Sequence, residues 1–177
     1  MNGRNIGMAM GLIIGIIISL FVLKAFNKDG KMKTKYDEMQ ELVRGRAYKY
    51  AFWILVIYEV LLILADCIDL DLHSSNYLLQ FIGIIIAVMV HAIYSIWNDA
   101  YIGLNTNPMR FAIICTVISI INLAIGIGEV TNSGLLKNGM IRDSLSNLLC
   151  GICFLVLAVV LFIKRSHDSA EEESEEV

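Results

Sequence analysis

Proline is almost missing from this chain: Pro108 is the only one in 177 residues. A proline inside a helix removes a backbone hydrogen bond and clashes with the preceding turn, so its scarcity leaves long stretches in which nothing stops a helix. Charge is scarce as well. Asp, Glu, Lys and Arg make up 18% of the residues, against about 25% in ordinary soluble domains, while 57% are hydrophobic and the mean hydropathy is +0.68. That balance excludes a water-soluble globular domain. Catalytic signatures are missing too. The sequence holds no G-x-x-x-x-G-K-[ST], no G-x-S-x-G and no H-E-x-x-H, which removes P-loop nucleotide hydrolysis, nucleophile-elbow hydrolysis and zinc-helix proteolysis from the candidate activities. No residue pattern calls for a cofactor, a metal or a nucleic acid.

What the chain does contain is a series of apolar runs. About 20 helical residues cross the hydrocarbon core of a bilayer, and backbone groups in lipid must be satisfied within the segment, which favours helix. Five runs qualify, at residues 6–26, 47–67, 77–97, 109–128 and 145–163. The expected fold is an all-α integral membrane protein: five transmembrane helices over residues 1–165, with a cytosolic amphipathic helix before the second span. The acidic tail, residues 166–177, has no apolar periodicity and is expected to be disordered. Before the first run stands only Arg4, after it Lys24 and a basic loop, with no A-x-A pattern. This profile is that of a retained span rather than a cleaved signal peptide. Gly7, Gly11 and Gly15 fall on one face of that span, a surface suited to close packing against another helix or, in a homo-oligomer, a second copy of the chain.

Basic residues set the orientation, because cytosolic loops carry an excess of Lys and Arg. With the N-terminus outside, eleven of the 14 basic residues (Lys24, Lys28, Lys31, Lys33, Lys35, Arg44, Arg46, Lys49, Arg110, Lys164 and Arg165) are cytosolic. Only Arg4, Lys137 and Arg142 remain outside. The expectation is a multi-pass plasma-membrane protein, N-terminus out and C-terminus in.

Most of that bias comes from the flank of the stretch Tyr36–Tyr58, which starts as a charged helix and runs into the second span without a proline or a loop signal. Tyr36, Met39, Val43, Ala47 and Tyr50 form one apolar stripe at helical spacing, while Asp37, Glu38, Glu41 and Arg44 lie off it. Such a helix lies at an interface. Tyr48, Tyr50 and Trp53 then mark the membrane boundary.

Ionisable and polar residues inside spans cost free energy and are the first place to look for function. Glu59 falls near the middle of the second span, with Asp66 two turns further along the same face. Asn122 of the fourth span lies at a similar depth to Glu59, so a hydrogen bond between them is feasible. His91, Tyr94, Ser95 and Asn98 make a polar stripe on the third span, and Thr116, Ser119 and Asn122 a weaker one on the fourth. The bland reading of all these groups is helix-to-helix hydrogen bonding; the sharper one is an ion pathway through Glu59, His91 and Asn122. In the link between the second and third spans, Asp69, Asp71 and His73 alternate, but no further ligand set accompanies them and no metal site is expected. Cys150 and Cys153 form a C-x-x-C. The length is that of the small bacterial quinone-linked disulfide oxidases, but those enzymes carry a second cysteine pair in an external loop, where this chain has none. Buried cysteine otherwise behaves as a small apolar residue.

Two blocks carry a family resemblance. Tyr36–Phe52, YDEMQELVRGRAYKYAF, and Asp99–Asn105, DAYIGLN, resemble a D-E-x-Q…R-G-x-A-Y-K-Y-A-F block and a D-A-Y-x-G-L-N block found in small multi-spanning membrane proteins of Gram-positive bacteria. Met39 departs from the pattern, which has arginine there. The resemblance implies a bacterial membrane protein and assigns no catalytic residue. Both blocks are cytosolic in the expected topology. That face therefore becomes the candidate docking surface, through Asp37, Glu38, Glu41, Arg44, Arg46, Asp99, Tyr101 and Asn105, for a cytosolic protein partner or anionic lipid. The role expected is non-enzymatic, with a transporter or ion-pathway subunit as the alternative.

Overall fold

The computed structural model describes residues 10, 13–15, 17–19, 21, 24, 27–28, 33–143 and 145–175, the last five as backbone only. The fold is all-α in class, and four of its helices are long and apolar enough to cross a membrane. They are α1 (Glu38–Cys67), α2 (Asn76–Trp97), α3 (Pro108–Ser133) and α4 (Leu145–Glu175). Most of the first expected span lies outside the described residues; those of it that are described, such as Ile13–Gly15 and Ile17–Ser19, are helical. Gly7 and Gly11 are also outside them, and none of the described residues approaches within 4 Å of where a Gly15 side chain would begin.

Each helix starts where its residues dictate. Asp37 caps α1 by accepting from the Gln40 N–H at 2.7 Å, and the Gln40 side chain returns to the Asp37 N–H. That reciprocal box satisfies two donors of the first turn, and Glu38 and Glu41 there complement the helix dipole. No residue then interrupts the helix for 30 residues, about 45 Å at 1.5 Å per residue. The hydrocarbon core is about 30 Å thick, so the first turns extend beyond a span. Ser75 caps α2, and Asn107 caps α3 with Pro108 in its first turn, the position where a missing N–H costs nothing.

Beyond α3 the expected loop is partly ordered. The helix continues to Ser133 and stops at Gly134, whose φ is 71°. Two short strands follow, β1 (Leu136–Lys137) and β2 (Met140–Ile141), paired antiparallel with Lys137 opposite Met140. Asn138 and Gly139 turn the chain, both at positive φ, as a two-residue hairpin requires. The hairpin is tied to the 68–75 link, where the Ile141 N–H donates to the His73 carbonyl at 2.7 Å and the Ser75 hydroxyl to the Asp143 carboxylate. At the other end of the molecule α4 runs past Lys164 and Arg165 to Glu175, through the tail for which the composition implies disorder. That stretch has no proline or glycine, and Lys164 pairs with Asp168 one turn on at 2.7 Å, so no residue breaks the helix at the end of the span.

Among the described helices, α1 packs on α2, α2 on α4, and α4 on α3. Small residues allow the close approaches. A side chain at Gly126 would meet the Leu148 backbone at 2.8 Å and one at Gly151 the Leu123 backbone at 2.8 Å, while the Ser119 hydroxyl donates to the Gly151 carbonyl. These residues make the α3–α4 seam. Ala92, Ile96, Ala112, Leu157 and Leu161 form the buried core, with Tyr101, Ile102 and Phe111 packed on it. It lies toward the end of the molecule carrying the 99–107 loop. Ile57, Leu61, Ile113, Val117 and Ile120 are exposed along the helix flanks.

Candidate functional site

The two sequence blocks meet. Residues 99–107 follow α2 and fold back over the segment leading into α1, and backbone polarity explains how they are held. The Leu104 N–H donates to the Lys35 carbonyl at 2.9 Å and the Lys28 N–H to the Asn105 carbonyl at 2.6 Å. Asn105 inserts its amide between the strands of chain, accepting from the Lys35 N–H at 2.8 Å and donating to the Lys33 carbonyl at 3.1 Å. Gln40, already half of the capping box, also donates to the Asp99 carbonyl at 2.7 Å and the Ile102 carbonyl at 3.3 Å. The Thr106 hydroxyl donates to the Asn27 amide oxygen. Gly103 is required by this closure: a side chain there would stand 2.2 Å from the Thr34 methyl and 2.6 Å from the Lys35 carbonyl oxygen.

The candidate docking residues divide accordingly. Asp37, Glu38, Glu41, Arg46 and Asp99 are exposed. Asn105 is buried and structural, and Tyr101 turns inward to meet the Phe111 ring edge-on at 5.4 Å. Asp37 is committed to the helix cap, and Asp99 pairs with Lys164 at 3.2 Å. The buried side of the first turns also differs from the expected stripe. Val43 and Ala47 are buried, but Met39 and Tyr50 are exposed, and half-buried Gln40 faces the loop where an apolar residue was expected.

Arg44 does not reach Glu41. Its guanidinium lies over the Tyr36 ring, 3.9 Å from the centroid, and its Nη2 donates weakly to the Tyr48 hydroxyl at 3.4 Å. Tyr48 in turn stacks on His91 at 4.2 Å. Arg44, His91, Tyr36, Thr34, Tyr101 and Phe111 surround a cavity of about 260 Å³. Burial raises the Tyr36 phenol above its ordinary value, with nearby Arg44 opposing the shift; burial raises that of Tyr101 further.

The polar residues expected within the spans fall into separate places. Glu59 and Asp66 share a cavity of about 330 Å³ between α1, α2 and the 68–75 link, with Asp71, Ser74, Asn76 and Gln80 on its walls. His91 belongs to the Arg44 cavity at the other end. Asn122 donates to the Ile118 carbonyl of its own helix at 2.9 Å, and α1 and α3 are not among the helix pairs that pack on each other. No hydrogen bond joins Glu59 to Asn122 among the described residues. Asn98 is exposed and donates to the Tyr94 carbonyl. Next to Glu59 stands a residue the sequence reading passed over: the Tyr58 hydroxyl donates to the Leu79 carbonyl of α2 at 2.7 Å, and its ring covers Gly83. The only sequence signal for that pairing was an unassigned glycine on the facing helix. In the 68–75 link, Asp71 and His73 bond locally, with the His73 N–H donating to the Asp71 carboxylate at 2.8 Å. The cysteines are all free, and the Cys153 thiol contacts the Met89 sulfur at 2.9 Å.

The chain matches no known family model, and neither a curated protein nor a solved structure shows significant similarity to it.

Proposed function

We propose that the chain is a non-enzymatic, multi-pass component of a bacterial plasma membrane, with five spans, its N-terminus outside and its C-terminus in the cytosol, that docks a cytosolic protein through the end of the molecule carrying the two joined blocks. One observation carries the reading: Gln40 and Asn105 lock the start of α1 to the 99–107 loop by side-chain-to-backbone hydrogen bonds. A surface that is ordered before a partner arrives loses less entropy on binding. The exposed apolar helix flanks support residence in lipid, and the distribution of Lys and Arg supports the orientation. The exposed face of the first turns mixes Glu38 and Glu41 with Arg46. A surface built only for anionic lipid would be weakened by the two carboxylates, whereas a protein partner can pair with both signs.

The test is a photo-crosslinker at Met39, which is 70% exposed beside these residues, introduced into the full chain in native membranes. A discrete protein adduct is expected, and the double change Glu38→Gln with Glu41→Gln should remove it while the chain stays in the membrane. Asp37 is left intact because its loss would unfold the cap. An adduct unchanged by the double substitution, or adducts to lipid alone, would sink the proposal.

A further inference from the structure

The cavity beside Arg44 has a lopsided chemistry. Among the described residues its walls carry one guanidinium, one imidazole and the hydroxyls of Thr34, Tyr36, Tyr101 and Thr106, and no carboxylate. Arg44 is half-buried, and among the described residues no carboxylate lies within ion-pair distance of it. Its partners are two tyrosines. A guanidinium has five N–H donors in a fixed fork, and the Tyr36 ring and hydroxyl with one long contact to the Tyr48 hydroxyl do not occupy all of them. A partly buried cation lacking its counter-charge is costly unless something supplies that charge. The second unmet group is His91, whose Nε2 is buried with no hydrogen-bond partner; with its proton on Nε2 the imidazole donates. Tyr36 and Tyr101, whose phenol values burial raises, keep their phenolic protons and line the same cavity, the Tyr36 hydroxyl shared with Arg44 and Thr34. The Thr106 hydroxyl is already used by Asn27.

We infer that this cavity binds a phosphate group. Among the described residues the Arg44 charge has no carboxylate beside it and His91 Nε2 has no partner, and the two together call for an anion. Residues with donors from α1, α2 and the 99–107 loop line the one cavity, a number that suits a phosphate with its three or four oxygens better than a carboxylate with two. Arg44 supplies the charged fork, as it does in phosphate sites generally, and His91 and the phenols complete the shell. About 260 Å³ admits the phosphate group of a lipid headgroup or of a small soluble phosphate compound. The inference does not rest on the docking proposal, since it uses Arg44 and His91 and neither Glu38 nor Glu41.

Purified full-length protein tests it in two arms, both read by thermal unfolding. In maltoside detergent, which carries no phosphate, inorganic phosphate is titrated against chloride at constant ionic strength. In the second arm phosphatidylglycerol is titrated into the same micelles. A ligand that binds only the folded state raises the unfolding temperature with its concentration. Wild type and Arg46→Gln, an exposed arginine two positions away, should respond in at least one arm. Arg44→Gln should lose about 10- to 100-fold in apparent affinity, the scale of a charged hydrogen-bonded contact. Arg44→Lys, which keeps the charge without the fork, should fall between them. His91→Phe keeps the ring against Tyr48 and should still weaken binding, which preserves the test if Arg44→Gln does not fold. Response to inorganic phosphate assigns a soluble source; response only to phosphatidylglycerol, abolished with Arg44, assigns a lipid headgroup. Arg44→Gln responding like wild type, or wild type responding in neither arm, would overturn the assignment. Glu38→Gln with Glu41→Gln should leave the response intact, which separates a failure of the site from a failure of the docking surface.

Discussion

Replacing Asn105 by alanine tests whether the two blocks form one body. Asn105 is 9% exposed, and among the described residues its side chain bonds to backbone at both ends, accepting from the Lys35 N–H and donating to the Lys33 carbonyl. A typical bond of this kind contributes about 1 kcal/mol net, and a buried group left without a partner costs about 1–3 kcal/mol. Asn105→Ala should therefore destabilise the joint by about 2–4 kcal/mol. The main-chain bonds flanking it, Leu104 to Lys35 and Lys28 to Asn105, remain, so the loss should appear first as local opening of residues 33–37 rather than as global unfolding. Limited proteolysis of the protein in detergent, cutting in the lysine-rich segment before α1, measures that opening directly. A loss of 2–4 kcal/mol raises the open population by about 30- to 900-fold, and cleavage should accelerate in proportion when opening is fast. Gly103→Ala attacks the same joint by overpacking against the Lys35 carbonyl, 2.6 Å from the new methyl, and should accelerate the same cut. If both variants are cleaved at the wild-type rate, the joint is not what holds this end together.

Two further outcomes bear on other parts of the molecule. Tyr58→Phe removes the bond from α1 to the Leu79 carbonyl, worth about 0.6 kcal/mol on average in membrane interiors, and should lower the thermal midpoint measurably, while Glu59→Gln, whose side chain faces a polar cavity, should leave it nearly unchanged; the reverse order would make Glu59 the clip between the helices. Burial raises the phenol values of Tyr36 and Tyr101 in the folded protein, so the stability tied to their neutral form is fully present below the unfolded value near 10 and lost as pH rises beyond it. Proteolytic opening of the joint should accelerate above about pH 10, and Tyr36→Phe should blunt the effect; an opening rate that is flat to high pH would remove the tyrosines from the account.

Helix content and helix starts were legible because they depend on local chemistry. Apolar length announced the four described helices, and Pro108 marked the start of α3. The D-x-x-Q at Asp37–Gln40 was in plain view but was read as surface, because a capping box and a solvent face draw on the same polar residues. Turn chemistry was missed at Asn138–Gly139, a two-residue signal inside a segment read as a loop. The helix neighbours were not legible. Depth along the membrane follows from counting residues, and on that basis Glu59 and Asn122 look like partners. Which helix lies beside which depends on Gly83 receiving Tyr58, and Gly126 and Gly151 receiving the backbones opposite them. Glycine at those sites looks the same in sequence as glycine at Gly15, which none of the described residues approaches within 4 Å.

The same distinction shows why the end carrying the two blocks, rather than the middle of the helices, is the better place to look for function. Several polar residues within the helices are satisfied by their own helix: Thr116 bonds to Ala112, Asn122 to Ile118 and Thr131 to Ile127, while Ser119 and Tyr58 bond to a neighbouring helix and, among the described residues, Ser95 and His91 keep an unpartnered atom. Bonds within one helix keep a hydroxyl or amide in an apolar setting without requiring a neighbour, so they carry no information about a pathway. At the joint the bonds cross between segments about 60 to 80 residues apart in sequence, and each closes a long loop whose entropy opposes it. A chain needing only to sit in lipid gains nothing from that closure. Here it brings Arg44, Tyr36, His91 and Tyr101 around one cavity and leaves Glu38, Glu41 and Arg46 on the outer face. One set of loop contacts therefore serves both a concave, donor-rich interior and a mixed-charge exterior. A perturbation of the joint should disturb both, whereas changes confined to Arg44 or to the two glutamates should each disturb one.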